Sequence, residues 1–324
     1  MKIIIDTKGS DKGPSAIVRG AALALEKYED LSLVLAGNRE VIAPLCAENG
    51  IDRNRAEILE APDEVTNFDA PSEAVFKKPN ASMMASLRAL GEREDLDGMI
   101  TSGNTGAVLS GCVRYLSTPE RVRPALAALL PAENGTDTCL VDTGATVDCT
   151  PQMLHHFARL GSKFMQTAYR IDRPKVGLLS NGAEPTKGNK LVKETHALLA
   201  ADESLNFIGN VEGNIALSGV CDVLVCDGFA GNQVFKSAEG IAKRIITDVV
   251  KYAKKSGNPE MMKLVAHLLG IYDFSALGGG IILGVGKPVI KARGNANADS
   301  ILNTAEMLLN MAKNKKLYDG KDER

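Results

Sequence analysis

Six short apolar runs, each leading into glycine and small polar residues, constrain this chain more than any other feature of its sequence. The runs are Ile3–Asp6, Gly98–Thr101, Cys139–Asp142, Val176–Leu179, Val223–Asp227 and Val289–Ala292. They do not alternate between apolar and polar residues, which is typical of strands buried on both faces of a parallel sheet. Parallel sheets bind ligands beyond the carboxyl ends of their strands. The pattern therefore predicts an α/β fold with one polar, ligand-binding edge.

Helical periodicity fills much of the sequence between these runs. Pro14 stands where the first helix is predicted to begin, and the inner side of a helix over Ala81–Leu90 carries Met83 and Met84, which we expect in the core. The acidic, proline-bearing segment Pro62–Pro79 predicts a loop over the sheet. Further predicted elements are strands over Leu33–Gly37, Glu57–Leu59, Ala125–Leu130 and Asn206–Ile208, and helices over Pro151–Tyr169, Lys187–Ala200 and Ala298–Lys313.

A long helix over Asn232–Lys255 and a short apolar helix over Met261–Leu269 predict a helical arm near residues 250–270. Its apolar side chains have three alternative interpretations, namely the core, contact with a second copy of the chain, and docking of a partner. The sequence contains no recognisable linker and no repeat of fixed period. We therefore treat residues 1–324 as a single domain.

The amino-acid composition of the chain argues against several functional classes. The chain is 44% hydrophobic and 24% charged with a formal net charge of -2, and only 4% of its residues are aromatic. A nucleic-acid surface would need a basic face with stacking aromatics, so no nucleic-acid partner is expected. Six cysteines lack C-x-x-C spacing, and neither a metal site nor a cofactor is expected. Without a signal-peptide pattern or a membrane-length apolar run, a cytoplasmic location with reduced thiols is expected.

Common nucleotide and nucleophile signatures are missing from the sequence. It contains no G-x-x-x-x-G-K-[ST], no G-x-G-x-x-G and no G-x-S-x-G. The predicted edge instead offers Asn, Ser, Thr and Gly, with Lys12, Arg123, Lys187 and Lys236 as suitable cations. This mixture suits a small oxyanion such as phosphate. An Asn side chain and glycine N–H groups would also stabilise the oxyanion of a tetrahedral acyl intermediate.

Seven ordered blocks carry a resemblance to a known family. They are Asp6–Pro14 (D-A-M-G-G-D-x-x-P in the family), Thr101–Ala107 (S-A-G-N-T-G-A), Arg123–Ala127, Asp142–Cys149 (D-V-G-A-N-V-D-C), Lys187–Asn189, Phe207–Gly213 and Val225–Asn232. In these blocks the chain resembles the phosphate acyltransferases of bacterial phospholipid synthesis. That family converts acyl-[acyl carrier protein] and phosphate into acyl phosphate.

The resemblance implies a three-layer α/β sandwich with a mostly parallel sheet, related to phosphotransacylases and isocitrate-type dehydrogenases. It also implies a homodimer that uses inorganic phosphate and a thioester of acyl carrier protein or coenzyme A. Some relatives attach peripherally to membranes through an amphipathic helical hairpin, and Lys251–Leu269 occupies that place here.

Three departures leave the acyl donor open. Lys8 and Lys12 are added cations in the opening loop, and Arg293 stands where the family has a histidine. The alternatives are a short-chain acyl-CoA:phosphate transferase, including a subunit like the acetyl-phosphate-forming component of glycine reductase, and a non-catalytic anion-binding homologue.

The predicted mechanism is direct attack of phosphate on the thioester, without a protein nucleophile. We expect Asn104, Thr105, Lys187 and Asn232 to contact phosphate and the oxyanion. For four aspartates the alternatives are that they orient these groups, that one of them transfers a proton to the thiol, or that they only cap turns, namely Asp11, Asp142, Asp148 and Asp227. The other predicted substrate-binding residues are Asp6, Gly9, Asp11, Lys12, Ser102, Gly103, Arg123, Asp142, Gly144, Asp148, Asn189, Glu212, Gly228 and Lys236.

Overall fold

The structure is a computed structural model that describes residues 1–66, 68–116, 118, 123–272, 274 and 278–313. The chain divides into two compact units. The first comprises Met1–Leu126, Thr167–Arg170 and Gly278–Arg324, and the second comprises Ala127–Gln166 and Ile171–Leu277. Each unit is described by itself below, and the single-domain description of the chain stays a prediction.

Strands and helices alternate along most of the chain. The strands are β1 (Lys2–Asp6), β2 (Ser32–Gly37), β3 (Ala56–Glu60), β4 (Gly98–Thr101), β5 (Ala125–Pro131), β6 (Asp137–Val141), β7 (Lys175–Ser180), β8 (Asn206–Glu212), β9 (Val223–Val225), β10 (Gly279–Leu283) and β11 (Val289–Ala292). The helices are α1 (Gly13–Lys27), α2 (Arg39–Glu48), α3 (Pro71–Lys77), α4 (Ser82–Glu92), α5 (Thr105–Tyr115), α6 (Pro151–Ala168), α7 (Lys190–Ala201), α8 (Gly228–Ser256), α9 (Pro259–Tyr272) and α10 (Ala298–Lys313).

The first unit is built on strands in the order β3-β2-β1-β4-β11-β10. Neighbouring strands are parallel, except that β10 runs antiparallel to β11. Gly98 faces α10, because a Cβ at that position would lie 3.1 Å from both methyl carbons of Leu308. Thr101, three residues later, points to the opposite face, where Asp6 links it to Ser82 of α4. Helices therefore cover both faces of this sheet, which gives three layers.

The second unit has strands in the order β5-β6-β9-β7-β8. Here β5 and β6 are antiparallel, and the other pairs are parallel. Helix α6 covers one face, since Gly161 packs against Val141 and Val223. The opposite face carries Leu140 and Leu224, which cluster with apolar residues of α8. This unit is also three-layered, so the predicted α/β class with mostly parallel strands is confirmed.

Most predicted elements are present, and the last helix has the predicted bounds. The segment predicted as a loop over 62–79 contains α3, however, so that prediction is wrong in part. Its proline at the first helical position and Glu73 in the first turn favour a helix start. The glycine-rich strand β10 was not predicted, and β8 continues through Gly209 to Glu212. Pairing with a neighbouring strand stabilises both segments despite their glycines.

Predictions about buried sulfur-containing residues hold. Met83 and Met84 are 2% and 0% exposed. Every cysteine is a free thiol, and all except Cys149 are buried. Burial raises the pKa of Cys139 and of Cys221 to about 12, so these thiols stay protonated and pack as small apolar groups.

The helical arm consists of α8 and α9, which pack on each other around Gly257 in a left-handed turn. Ala253 and Val265 are buried. In the predicted arm Met262 is 45% exposed, Leu264 is 42% exposed and Leu269 is 41% exposed, and on the preceding part of α8 Ile241 and Ile245 are 61% and 54% exposed. The interpretation of the arm as core is therefore wrong for most of its apolar side chains. Among the described residues, none of the helices combines the length and the hydropathy needed to cross a bilayer.

Candidate functional site

Three loops meet at the carboxyl edge of the first unit. Because β1, β4 and β11 are mutually parallel, the loops that follow them begin at the same edge. A Cβ at Gly9 would lie 2.6 Å from the Cα of Gly103, so the first two loops touch backbone to backbone. The third loop joins through Gly294, whose carbonyl accepts hydrogen bonds from the backbone of Asp11 at 2.7 Å and from Ser10 Oγ at 3.3 Å.

Asp6 lies beneath these loops and fixes two of them. Its Oδ1 accepts hydrogen bonds from Ser82 Oγ at 2.6 Å and from the backbone of Lys8 at 3.1 Å, and its Oδ2 accepts one from Thr101 Oγ1 at 2.8 Å. Thr101 Oγ1 in turn accepts from the N–H of Gly103 at 3.1 Å. The carboxylate is 1% exposed and positions these two loops, and its predicted contact with substrate stays a prediction.

Burial dominates the electrostatics of this carboxylate. It raises the pKa of Asp6 from its ordinary value of 3.8 to about 6, against the lowering effect of the Ser82, Thr101 and Lys8 hydrogen bonds. The charge of Glu64 adds a smaller upward contribution to this pKa. Desolvation of the charged form is the physical cause.

The N-terminus of α5 faces the same edge. Asn104 caps this helix, because its Oδ1 accepts a hydrogen bond from the N–H of Ala107 at 3.0 Å. The N–H groups of Thr105 and Gly106 precede the first helical hydrogen bond and have no partner within the helix. Together with the helix dipole they favour an anion. Pro71 of α3 packs over Gly106, where a Cβ would lie 2.7 Å from the proline Cγ.

Ser102 adds a polar group at the junction of these loops. Its side chain is 3% exposed, and its Oγ is buried without a hydrogen-bond partner among the residues that the structure describes. An unpaired buried hydroxyl costs free energy, which sets it apart from the paired Ser82 nearby.

The predicted cations of the first unit are exposed, and their contact with substrate stays a prediction. Lys12 is exposed at the cap of α1, and Arg123 is exposed just before β5. Lys8 Nζ donates to the carbonyl of Pro62, which ties the opening loop to the segment that carries α3. Burial lowers the pKa of the Arg293 guanidinium, but an arginine stays protonated in proteins.

The second unit has a similar edge, with Asp142 in the place that Asp6 occupies in the first. Asp142 is fully buried. Its Oδ1 accepts hydrogen bonds from the N–H groups of Gly144 at 3.2 Å and Ala145 at 3.0 Å, and its Oδ2 accepts one from Thr146 at 2.6 Å. The carboxylate thus folds its own loop, so it too has the geometry of a positioning residue. Gly144 has a φ of 131°, a conformation that favours glycine.

This loop packs against the first turn of α8. The N–H of Gly228 donates to Thr146 O at 2.8 Å, and Asn232 Nδ2 donates to Thr143 O at 3.2 Å. A Cβ at Gly231 would lie 1.9 Å from the carbonyl oxygen of Asp142, so only glycine fits there. Three residues of the Val225–Asn232 block therefore hold the helix against the loop, namely Gly228, Gly231 and Asn232.

Asp227 caps α8, since its Oδ1 accepts a hydrogen bond from the N–H of Ala230 at 2.9 Å. Asp148 is exposed at the far end of the Asp142 loop. Lys236 forms an ion pair with Glu239 at 2.9 Å on the exposed surface of α8, two turns from the helix start. The capping interpretation of Asp227 therefore has direct support, whereas its part in proton transfer stays a prediction.

A third loop of the second unit follows β7 and carries Lys187. Asn181 Oδ1 accepts from the N–H of Gly188 at 2.8 Å, and Asn210 Nδ2 donates to the carbonyl of Glu184 at 2.8 Å. Lys187 is exposed, and its stem packs over Gly182, where a Cβ would lie 2.7 Å from the lysine Cγ. The loop is thus ordered, and its lysine ammonium is directed by packing of the aliphatic stem.

The two remaining predicted residues of this region have structural positions of their own. Asn189 caps α7, with its Oδ1 2.9 Å from the N–H of Val192. Glu212 ends β8 opposite Ser180. Since β6, β9, β7 and β8 are parallel, Asp142, Asp227, Lys187 and Glu212 all follow strands that end at the same edge.

The structure thus groups the predicted residues by unit. We call the carboxyl edge of the strands in the first unit the first edge, and that of the strands in the second unit the second edge. Asp6, Gly9, Asp11, Ser102, Gly103, Asn104 and Thr105 belong to the first edge, and Asp142, Gly144, Asp227, Gly228, Asn232, Lys187, Asn189 and Glu212 belong to the second. The grouping of Thr105 with Lys187 and Asn232 in one site stays a prediction. Within the described part of the chain, no group of three or more His, Cys, Asp and Glu side chains is placed to hold a metal ion.

Sequence reasoning missed the residues that support these edges. Ser82, Asn181 and Asn210 make the hydrogen bonds described above. The sequence places Asn181 at a polar strand end and Asn210 in a family block, but it predicts no supporting role for any of the three. Ser82 lies 76 positions from its partner Asp6, so no local pattern connects them. A serine at the start of an apolar helix was the available signal.

The fold defines the class of protein, a mixed α/β protein with a large and mostly parallel sheet, and solved phosphotransacylases share this fold. A phosphotransacetylase from Streptococcus pyogenes has a similar structure, with a TM-score of 0.65 at 20% sequence identity, covering 97% of this chain and 94% of that one. A branched-chain phosphotransacylase from Enterococcus faecalis has a TM-score of 0.62 at 15% identity, covering 96% and 99% of the two chains. At these identities the likeness shows the fold.

Sequence comparison identifies the family. Residues 1–317 match the family described as "Fatty acid synthesis protein". The chain is 38% identical over 332 residues to a phosphate acyltransferase from Thermoanaerobacter pseudethanolicus, covering 100% of this chain and 97% of the relative. It is also 38% identical over 319 residues to the phosphate acyltransferase from Streptococcus pneumoniae, covering 96% and 94%. The chain belongs to the phosphate acyltransferase family, and the predicted resemblance is confirmed.

Proposed function

We propose that this protein transfers the acyl group of a thioester to inorganic phosphate, which yields an acyl phosphate and a free thiol. The observation that carries the proposal for this chain is the start of α5. There, N–H groups without helical partners, the Asn104 cap and two glycine-lined loops form an anion-binding edge. The membership of the chain in the phosphate acyltransferase family supports the same reaction.

The reaction needs no nucleophile from the protein. A phosphate oxygen attacks the thioester carbonyl carbon, and the carbonyl oxygen takes up the negative charge. The intermediate then collapses with cleavage of the C–S bond, and the thiolate leaves and takes a proton. Phosphate is already anionic at neutral pH, so catalysis depends on holding the reactants and stabilising the developing charge.

We assign the residue roles as the sequence predicts them. The N–H groups of Thr105 and Gly106 would hold phosphate, with Asn104 fixing the helix start that presents them. Lys187 is the exposed cation of the second edge and would stabilise the oxyanion or the departing thiolate. Asn232 is held next to the Asp142 loop and would supply a neutral amide.

The donor and the cellular setting belong to the same proposal. We assign the thioester to acyl carrier protein, and we place the product in phospholipid synthesis in the cytoplasm, as the resemblance implies. The exposed apolar side of α8 would contact a second copy of the chain, giving a homodimer. Peripheral membrane contact through α8 and α9 is the alternative use of that surface, and co-sedimentation with anionic liposomes measures it.

Phosphate-dependent release of free thiol tests the reaction and the donor together. Wild-type protein is supplied with acetyl-, butyryl- and palmitoyl-CoA and with acyl-[acyl carrier protein], and acyl phosphate is trapped as the hydroxamate. The proposal expects thiol release that saturates with phosphate, and sulfate serves as the matched anion that accepts no acyl group. Thiol release at the same rate without phosphate would instead show a thioesterase.

A Lys187→Ala variant tests the second edge. Loss of a positive charge beside developing negative charge should lower kcat by about 100-fold. Lys190→Ala is the matched control, because Lys190 is an exposed lysine three residues away at the start of α7. Equal turnover of the Lys187 variant and the wild type would remove this lysine from the mechanism.

A further inference from the structure

Two exposed apolar side chains flank the polar contact between the Asp142 loop and α8. Val147 is 56% exposed and Phe229 is 61% exposed. Each is the next residue after one member of the hydrogen-bonded pair formed by Thr146 O and the N–H of Gly228, which are 2.8 Å apart. The two side chains therefore leave the same junction, one from the loop and one from the helix.

Both residues stand on a rigid base. The Asp142 carboxylate holds the loop through three N–H groups, and the close approach at Gly231 seats the helix on it. Exposure of Val147 and Phe229 is thus a property of the folded site and not of a loose segment. Apolar side chains held at a fixed position beside a few polar groups are typical of the lining of a ligand site.

The helix places Phe229 next to a predicted catalytic group. Phe229 and Asn232 are three residues apart on α8, so they are neighbours on one side of the helix. Asn232 reaches the loop at Thr143 O, which shows that this side of the helix faces the loop. An apolar surface therefore begins directly beside the amide that the proposed reaction uses at the carbonyl.

We propose that Val147 and Phe229 bind the acyl chain of the thioester donor immediately beyond its carbonyl carbon, and so set the preference for acyl chain length. This inference rests on the proposed acyl transfer. A thioester donor combines a polar reacting centre with an apolar chain, and sites for such ligands pair a few polar groups with apolar lining. The polar groups of this junction are Asp227 and Asn232, and the apolar lining is Val147 and Phe229.

A Phe229→Ser variant, assayed against acetyl-, butyryl- and palmitoyl-CoA, tests the assignment. Both chains longer than acetyl should lose about tenfold in kcat/KM, because they lose apolar contact area, whereas acetyl-CoA should change less than about twofold. Val147→Ser should give the same pattern with a smaller loss. Phe229→Leu should keep kcat/KM for butyryl- and palmitoyl-CoA close to the wild-type values, since leucine keeps the apolar contact.

Phe76→Ser is the matched control. Phe76 is 68% exposed on α3 in the first unit, and the control should leave the chain-length profile unchanged. An equal loss for all donors would assign the surface to the thiol carrier and overturn the inference, as would an unchanged profile. A change in oligomeric mass with an unchanged profile would assign Phe229 to a contact between copies and would also overturn it. Absence of phosphate-dependent thiol release by the wild type with every donor would instead reject the proposed function.

Discussion

At the scale of single residues, two buried carboxylates hold the loops of the polar edges in place by hydrogen bonds. Asp6 ties the β1 loop to the β4 loop, and Asp142 folds the loop after β6. The sequence predicts a substrate contact for both, with an orienting or capping role as the alternative for Asp142, because an aspartate at the end of a parallel strand is typical of a ligand site. Both carboxylates are buried and hold their loops by hydrogen bonds, and their contact with substrate stays a prediction.

The pKa of Asp6 predicts a pH-dependent stability. Between pH 3.8 and about 6 the folded protein binds a proton that the unfolded chain has lost, so this group makes stability fall as the pH rises through that window. Across this pH window the free energy of unfolding falls by about 3 kcal/mol for a pKa shift of this size. An Asp6→Asn variant lacks the titration. Urea unfolding of wild type and variant at several pH values should show a stability difference that shrinks from pH 4 to pH 6 and is constant above pH 7.

Two further observations bear on that experiment. Glu64 also acts on Asp6, and a Glu64→Gln variant should shift the window slightly to lower pH without removing it. A wild-type stability that runs parallel to that of the Asp6 variant across the whole pH range would show that Asp6 does not titrate in this window.

Ser102 and Ser82 are two buried serines at the first edge. We expect their replacement by alanine to change the free energy of unfolding in opposite directions. Ser82→Ala removes a hydrogen bond to a buried carboxylate and should lower the free energy of unfolding by about 2 kcal/mol. Ser102→Ala removes a hydroxyl that has no partner and should raise it by about 1 kcal/mol. Chemical denaturation of both variants at pH 7 measures the two signs. Destabilisation by both would mean that Ser102 has a partner, such as a buried water.

At the scale of elements, the close seating of α8 on the Asp142 loop is the decisive contact of the second edge. The helix can approach because Gly228 and Gly231 lack side chains, and it brings Asn232 to the loop. Sequence periodicity predicts the helix well, but it places the start at Asn232 and not at Gly228. Glycines lower the helix propensity of that first turn, and packing on the loop offsets this cost.

A pair of glycine substitutions within α8 separates packing from propensity. Gly231→Ala places a methyl group where the Asp142 carbonyl lies, and should cost about 3 kcal/mol of stability. Gly240→Ala meets no atom within 4 Å and should add about 0.5–1 kcal/mol, because alanine is the better helix former. Thermal unfolding of the two variants reports both effects. Similar stability of the two proteins would contradict the seating of α8 on the loop.

Three elements show why prediction of secondary structure from the local sequence pattern succeeds or fails. Helix α10 was predicted to the residue because apolar spacing and charged neighbours mark it locally. Strand β10 was missed because Gly279 and Gly280 disfavour a strand in isolation, and only the ladder with β11 stabilises it. Helix α3 is short, and packing of Pro71 on Gly106 holds it in place.

At the scale of the whole molecule, the apolar side of α8 predicts self-association. Ile241 and Ile245 are four residues apart, so they lie on one exposed side of the helix. The double variant Ile241→Glu with Ile245→Glu should shift a dimer to a monomer, because two carboxylates would be desolvated in the interface. Sedimentation equilibrium measures the mass.

Thr247→Glu is the control for this variant, since Thr247 is exposed on a different side of α8. The control should keep the wild-type mass. A wild-type protein that sediments as a monomer at all concentrations would leave this surface to another partner, and the liposome experiment then applies.

The sequence by itself determined the α/β class, most strands and helices, the polar residues at the strand ends and the family. These follow from local periodicity, turn chemistry and ordered motifs, all of which are written in neighbouring residues. Only the tertiary structure decided that Asp6 and Asp142 position loops, that Ser82 supports an edge from 76 positions away, and that Val147 and Phe229 stand exposed together. The hydrogen bonds of Asp142 are made to residues two to four positions away, but its complete burial, like the contact of Asp6 with Ser82, is set by the packing of distant segments and not by neighbouring residues.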